Sequence, residues 1–266
     1  MTLLSLEFMR RALIAAALVG VTAPAIGTFL VQRRLALMGD GIGHVALTGV
    51  GLSLLLGTAP LPTAVVLAVA GAVAIELLRE RGGATGDVAL ALLFYGGIAG
   101  GVLLTNVSDA ATTTTLVSYL FGSVSTVTGG DLWVITALAL LVLGVVAVFG
   151  RELFSVCYDE EVARASGLPV RLLNLLIAVT AALTVALAMR VVGLLLVSAL
   201  MVVPVAAMQQ VARSFRATLL GSLVIGVAVS VGGLVAAYYL DLAPGAAIVL
   251  LAIGVFAVTS VAGRAR

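Results

Sequence analysis

Nine long apolar segments run through this chain, and they leave room for little besides membrane-spanning helices. They lie at about 12–31, 42–57, 61–78, 88–105, 132–149, 172–189, 192–212, 217–239 and 245–262. A helix needs about 20 mainly apolar residues to cross a bilayer, and only the second segment is short. Charged residues are 10% of the 266 residues, too few to cover a soluble protein of this length. The sequence therefore predicts an all-α, polytopic membrane protein, a single transmembrane domain over 1–266 with eight or nine spans.

The arginines predict how the spans are oriented, because cytoplasmic loops are enriched in positive charge. Arginines follow the first, third, fifth and seventh spans and end the chain, whereas three connections hold none: 58–60, 106–131 and 240–244. With nine spans, this alternation places the amino terminus outside. If the short second segment does not cross, the count is eight and the amino terminus lies inside. Arg10, Arg11 and Arg190 depart from the pattern.

Two connections are long enough to hold structure of their own. The outer one, 106–131, is expected to contain a short interfacial or re-entrant helix. The inner one, 151–171, is the most charged stretch of the chain. In it Asp159 or a neighbour can cap a short helix that Gly167 and Pro169 would end. A charged cytosolic helix between two spans is a plausible docking surface for another protein.

Asp40 and His44 are the residues in the apolar segments with the clearest chemistry. His44 is the only histidine of the chain, and a helix brings positions i and i+4 onto one face. A carboxylate and an imidazole together suit zinc, manganese or iron better than calcium or magnesium. Two ligands are too few for a tight site but suit a conduit that must release its ion. A two-fold dimer could complete a transient ligand set.

Two structural explanations compete with a metal role for this pair. Asp40 could be the N-cap of the second span, and His44 could be a hydrogen-bonded interior histidine. Glu76, near the inner end of the third span, is expected to be a snorkelling interfacial residue.

Several classes of function are excluded by residues that are missing from the sequence. The chain has no phosphate-binding GxxxxGK[ST] loop, no GxSxG, no HExxH and no second histidine, so neither ATP binding of that kind nor the usual membrane hydrolases fit. Its one cysteine forms no intrachain disulfide. The net charge of +2 is spread along the chain and gives no footprint for nucleic acid. We expect a transport subunit rather than an enzyme.

The order and spacing of several motifs resemble a known family, the membrane permeases of zinc, manganese and iron ABC importers (the ABC-3 group, which includes ZnuB-like permeases). The motifs that carry the resemblance are Arg33-Arg34 with Met38-Gly39-Asp40 and His44, then Leu92-Leu93-Phe94 with Gly96-Gly97, then Ser118 to Gly122, then Asp159 to Pro169, and finally Val192-Gly193 through Ser198 to Pro204 and Ala207. Two departures are Val45 in place of a small residue and Glu160 where the family often has proline. The second is expected to alter the start of the inner helix but not its character.

The resemblance implies the permease fold of type II ABC importers, of the vitamin B12 class. It implies a homodimer in a bacterial cell membrane, two cytosolic ATPase subunits that bind ATP, and an extracytoplasmic metal-binding protein that delivers the ion. Asp40 and His44 would then line the metal route, with no permanently bound cofactor. The loop that meets the ATPase would include Asp159, Glu161, Ala163, Arg164 and Gly167.

The leading hypothesis is the permease of an ATP-driven divalent metal importer working by alternating access, with zinc as first candidate and manganese and iron next. One alternative is a permease for a larger chelate such as a siderophore or cobalamin, which would need a wide cavity and no direct ligands. Another is a stand-alone secondary metal transporter, which would need more intramembrane acids. A membrane enzyme or scaffold subunit is a third, and it lacks a catalytic constellation.

Overall fold

The computed structural model describes residues 7–80, 86–107, 122, 129–189 and 193–264, and these form ten helices. In chain order they are α1 (Glu7–Gln32), α2 (Met38–Leu56), α3 (Pro60–Glu80), α4 (Gly86–Val107), α5 (Gly129–Tyr158), α6 (Glu160–Ala165), α7 (Val170–Met189), α8 (Leu194–Gln209), α9 (Phe215–Leu240) and α10 (Pro244–Arg264). The described part of the chain contains no strand, so the all-α prediction is confirmed.

Each of the nine predicted spans coincides with one helix, and α6 is the additional short one. Seven of the described helices are long and apolar enough to cross a membrane. Shorter apolar stretches, Val88–Leu104 and Val197–Gln209, account for α4 and α8. The 30 residues of α5 extend about 45 Å at 1.5 Å per residue, well beyond a hydrocarbon core of about 30 Å. The helix is therefore long enough for its last turns, which lead into α6, to extend beyond the hydrocarbon core. The helix expected within 106–131 lies almost entirely outside the described residues.

The core of the bundle forms around α1 and α7, whose side chains are mostly buried. Helix α1 packs against α9, α5, α8 and α7, while α2 lies between α3 and α4. By contrast, α5 and α10 are largely exposed and apolar. In a bilayer such faces meet lipid, so their exposure carries no penalty.

The arginine-bearing ends of the helices meet at one end of the bundle. Ion pairs join Arg33, just after α1, to Glu160, and join Arg171 to Glu80, at the end of α3. Arg11 lies at the opposite end of α1, where Glu7 pairs with it. The arginine-rich connections therefore share one side of the molecule, as the charge pattern predicts. That this side is cytosolic remains a prediction.

Candidate functional site

Asp40 and His44 lie on successive turns of α2. The helix begins at Met38, and the residue in the N-cap position is Leu37, which makes no side-chain capping bond. Asp40 sits inside the first turn. The explanation in which Asp40 is the N-cap is therefore wrong.

The His44 side chain is half-buried and packs against α4. Its ring stands edge-on to Phe94, with the ring centroids 4.8 Å apart and the planes at 82°. In the described part of the chain, neither the Asp40 carboxylate nor the His44 imidazole has a hydrogen bond or an ion pair. The structure thus does not show the hydrogen-bonded interior histidine that was the second explanation.

The backbone of His44 is held by a close crossing of α2 and α4. A Cβ added to Gly97 would lie 2.7 Å from the carbonyl carbon of His44 and 2.8 Å from its Cβ, so only glycine permits this approach. The Thr48 hydroxyl lies 2.9 Å from the Gly97 carbonyl oxygen and 3.1 Å from that of His44, so it can donate to either. From the sequence, small residues such as Gly96, Gly97, Gly100 and Gly101 are expected to allow close helix packing, but Thr48 was not indicated. The i+4 spacing of positions 40, 44 and 48 is the signal that could have found it.

The pair offers two potential metal ligands. No group of three or more His, Cys, Asp or Glu side chains that could hold a metal ion occurs among the described residues. Two ligands suit an ion in passage better than one that is tightly held.

The inner connection contains the short helix that the sequence predicts. The Asp159 carboxylate accepts hydrogen bonds from the backbone N–H groups of Glu161 and Val162, each at 3.0 Å, which makes Asp159 the N-cap. After Ala165 the chain reverses through Gly167, whose φ of 80° lies in the left-handed region. Both ends of α6 are therefore confirmed, and α6 starts at Glu160.

The residues of α6 divide into an outward and an inward face. Glu161, Arg164 and Gly167 are exposed, and Val162 between them is 61% exposed. Ala163 is buried and packs toward the bundle. The outward face thus presents both charges and an apolar side chain beyond the membrane spans, while Ala163 seats the helix.

Glu160 and Arg33 form an ionic cluster behind α6 that the sequence did not predict. The Arg33 guanidinium donates to Glu160 at 3.2 Å and to the Asn174 amide oxygen at 2.8 Å. Arg164 donates to the other oxygen of Glu160 at 3.1 Å. A cavity of about 530 Å³ opens beside this cluster, lined by Glu76, Arg79, Glu80, Glu160, Arg164, Pro169, Val170, Arg171 and Asn174.

Glu76 lines that cavity, and its side chain is more buried than expected. It is 6% exposed and accepts a hydrogen bond of 2.6 Å from Arg79, one turn further along α3. The expectation of a snorkelling interfacial side chain is therefore wrong. A buried carboxylate is tolerated there because the guanidinium beside it compensates its charge.

Comparison with known proteins places these features in a wider group. The family model of the ABC 3 transport family matches residues 5–263. A probable metal transport system membrane protein of Treponema pallidum is 34% identical over 99% of this chain and 100% of its own length. The manganese transport system membrane protein MntC of Listeria innocua is 32% identical over 96% of this chain and 90% of its own.

Solved structures show the same fold. PsaBC of Streptococcus pneumoniae, solved in complex with Fab, superposes with a TM-score of 0.86 at 31% identity, over 97% of this chain and 92% of that one. An inward-facing ABC transporter described as of the metal-chelate type gives a TM-score of 0.80 over 96% of this chain and 86% of that one. At 17% identity the second likeness concerns the fold alone.

Proposed function

This chain belongs to the ABC 3 transport family, and from that premise we propose that it is the permease through which an ATP-driven importer moves a divalent metal ion. One observation carries the proposal. Asp40 and His44 stand on one face of a helix long enough to span a membrane, half-buried and with no side-chain hydrogen bond or ion pair in the described part of the chain. An ionisable group kept in a membrane span without a partner is costly unless it serves a ligand.

The coupling side of the proposal rests on α6. A partner ATPase would contact its outward face, where Glu161, Arg164 and the exposed Val162 combine charge with apolar surface. Asp159 and Gly167 would set the two ends of the helix, and Ala163 would hold it on the bundle. ATP binding in two such partners would switch a homodimer of this chain between outward-open and inward-open states. An extracytoplasmic metal-binding protein would deliver the ion.

Manganese and zinc are the two metals to compare first. Carboxylate and imidazole ligands accept either ion and do not separate the two firmly, and zinc is the first candidate from the sequence. The name of the relative from Listeria innocua refers to manganese. This favours manganese as the cargo here, ahead of zinc and iron.

The test is metal uptake by cells that depend on this chain. We expect Asp40→Asn and His44→Gln to lower manganese uptake about ten- to hundred-fold, because a contact with a charged group is worth about 1.5–3 kcal/mol. Asp241→Asn is the matched control, since it makes the same chemical change at an exposed helix end away from the pair. Full uptake by both route variants, at wild-type amounts in the membrane, would refute the proposal. Running zinc and iron in parallel identifies the cargo.

A further inference from the structure

Arg33 joins three elements of the bundle through one buried guanidinium. Its side chain is 7% exposed, follows α1 directly, and bonds both Glu160 at the start of α6 and Asn174 in the second turn of α7. Asn174 is itself buried. Removing one partner from a buried charge pair leaves the other charge uncompensated, so these contacts are costly to break.

Glu160 uses its two carboxylate oxygens differently. One accepts from the buried Arg33, while the other accepts from Arg164, whose side chain is 68% exposed. The pair with Arg164 lies within α6 at i, i+4 spacing, and an exposed pair of that kind contributes little. The bond to Arg33 is therefore the one that ties α6 to the bundle.

The connection from Arg33 to α2 is only five residues long, 33–37, and is hydrogen-bonded to both helices. The N–H groups of residues 33, 34 and 35 donate to carbonyls of the last turns of α1, and those of Met38 and Gly41 donate to Leu35 and Leu37. Leu35 is buried as well. A displacement applied at Arg33 is thus passed to the start of α2, because four of the five residues between the helices bond to the end of one helix or the other. Asp40 lies in the first turn of that helix.

A second ion pair at the same end gives an internal comparison. Arg171 of α7 donates to Glu80 of α3 at 2.9 Å, with both side chains substantially exposed. This pair does not involve the turn between α1 and α2. It provides a charge pair of similar type that ties helices without reaching Asp40.

From these contacts we infer that Arg33 is the positioning residue that transmits movement of α6 to α2, and so to the Asp40–His44 pair. The inference rests on the proposed function for its biological meaning. The contacts alone specify the route: α6 through Glu160 to Arg33, then through the short hydrogen-bonded turn to α2. The hydrogen bond to Asn174 holds the Arg33 guanidinium in place beside Glu160.

The experiment separates transport from ATP hydrolysis in the complex purified with its ATPase through a tag on this chain. Arg33→Gln and Glu160→Gln should each lower the manganese moved per ATP about ten-fold, the size of a typical coupling between sites. ATP hydrolysis should stay close to wild type in Arg33→Gln, because Arg33 lies behind α6 and not on its outward face. The matched control Arg171→Gln should leave the ratio unchanged. Glu160→Gln removes a half-exposed charge and so stays informative if Arg33→Gln assembles poorly.

A distance measurement tests the link without any metal. In a Cys157→Ser background, spin labels at Ala165→Cys on α6 and Leu37→Cys before α2 should keep their separation when ATP is added, because the two positions move together. In Arg33→Gln the separation should change. A wild-type complex that moves no metal but shows this behaviour refutes the proposed function and supports the link. Three results would overturn the role of Arg33. They are equal losses of transport and hydrolysis in Arg33→Gln, an effect of Arg171→Gln as large as that of Arg33→Gln, and label separations that Arg33→Gln does not change.

Discussion

Arg34 occupies a backbone conformation that favours glycine. Its φ is 60°, and the bonds from Arg34 N–H to the Val31 carbonyl and from Leu35 N–H to the Leu30 carbonyl form a Schellman ending for α1. The side chain is exposed, so packing does not demand arginine. The positive charge at the predicted cytosolic face gives the residue a use that glycine lacks.

Replacing Arg34 should therefore reveal the cost of that conformation. The left-handed region destabilises a residue that bears a side chain by about 1–2 kcal/mol, and glycine removes this cost. Glycine also has more conformational freedom in the unfolded chain, which offsets about 0.4–1 kcal/mol of the gain. We expect Arg34→Gly to raise the unfolding free energy by about 0.5–1 kcal/mol, seen as a higher melting temperature in detergent. Arg34→Ala loses the same charge without relieving the backbone, and it should show no gain. An equal rise in both variants would assign the effect to charge.

At the scale of helices, the crossing of α2 and α4 determines where His44 stands. The glycine-rich stretch of α4 predicts close packing, and the structure assigns different roles to its members. Gly97 faces the His44 backbone, whereas an added Cβ at Gly96 would meet nothing within 4 Å. Successive residues of a helix are rotated by about 100° around its axis. When the Cα of Gly97 faces α2, that of Gly96 therefore faces away from it.

This difference makes a matched pair of substitutions. Gly97→Ala should lower the unfolding free energy by about 1–3 kcal/mol through overpacking, and it should reduce metal uptake because α4 must move away from His44. Gly96→Ala adds the same methyl group in open space, and it should be neutral or stabilising by up to about 1 kcal/mol. Thermal melting and uptake assays measure both effects. Similar losses in the two variants would show that the crossing does not position His44.

Across the whole molecule, the fold was predictable because each span carries its signal in its own hydropathy. The ends of α6 were predictable for the same reason, since Asp159 and Gly167 act on neighbouring backbone. The bond between Arg33 and Glu160 was not, because it joins residues 127 positions apart. Asp159, Glu160 and Glu161 are three adjacent acids that the sequence does not distinguish. Only the packing of α6 on the bundle makes Glu160 the partner of Arg33. The packing of α4 on His44 depends likewise on which face of each helix meets the other.

Nine spans also predict how the whole molecule is oriented in the membrane, with the arginine-rich connections in the cytosol and the amino terminus outside. Helix α2 runs from the arginine-rich end to the connection at Ala59, so Ala59 and Ala165 lie at opposite ends of the bundle and both are exposed. In a Cys157→Ser background, we expect a membrane-impermeant maleimide to label Ala59→Cys in intact spheroplasts. It should label Ala165→Cys only in inverted vesicles, because arginine-rich connections stay in the cytosol. Cys157→Ser alone is the unlabelled control, and metal uptake by each variant confirms that it is folded. Labelling of both positions from one side would contradict the nine-span arrangement, and the reverse pattern would place α6 where no cytosolic ATPase could reach it.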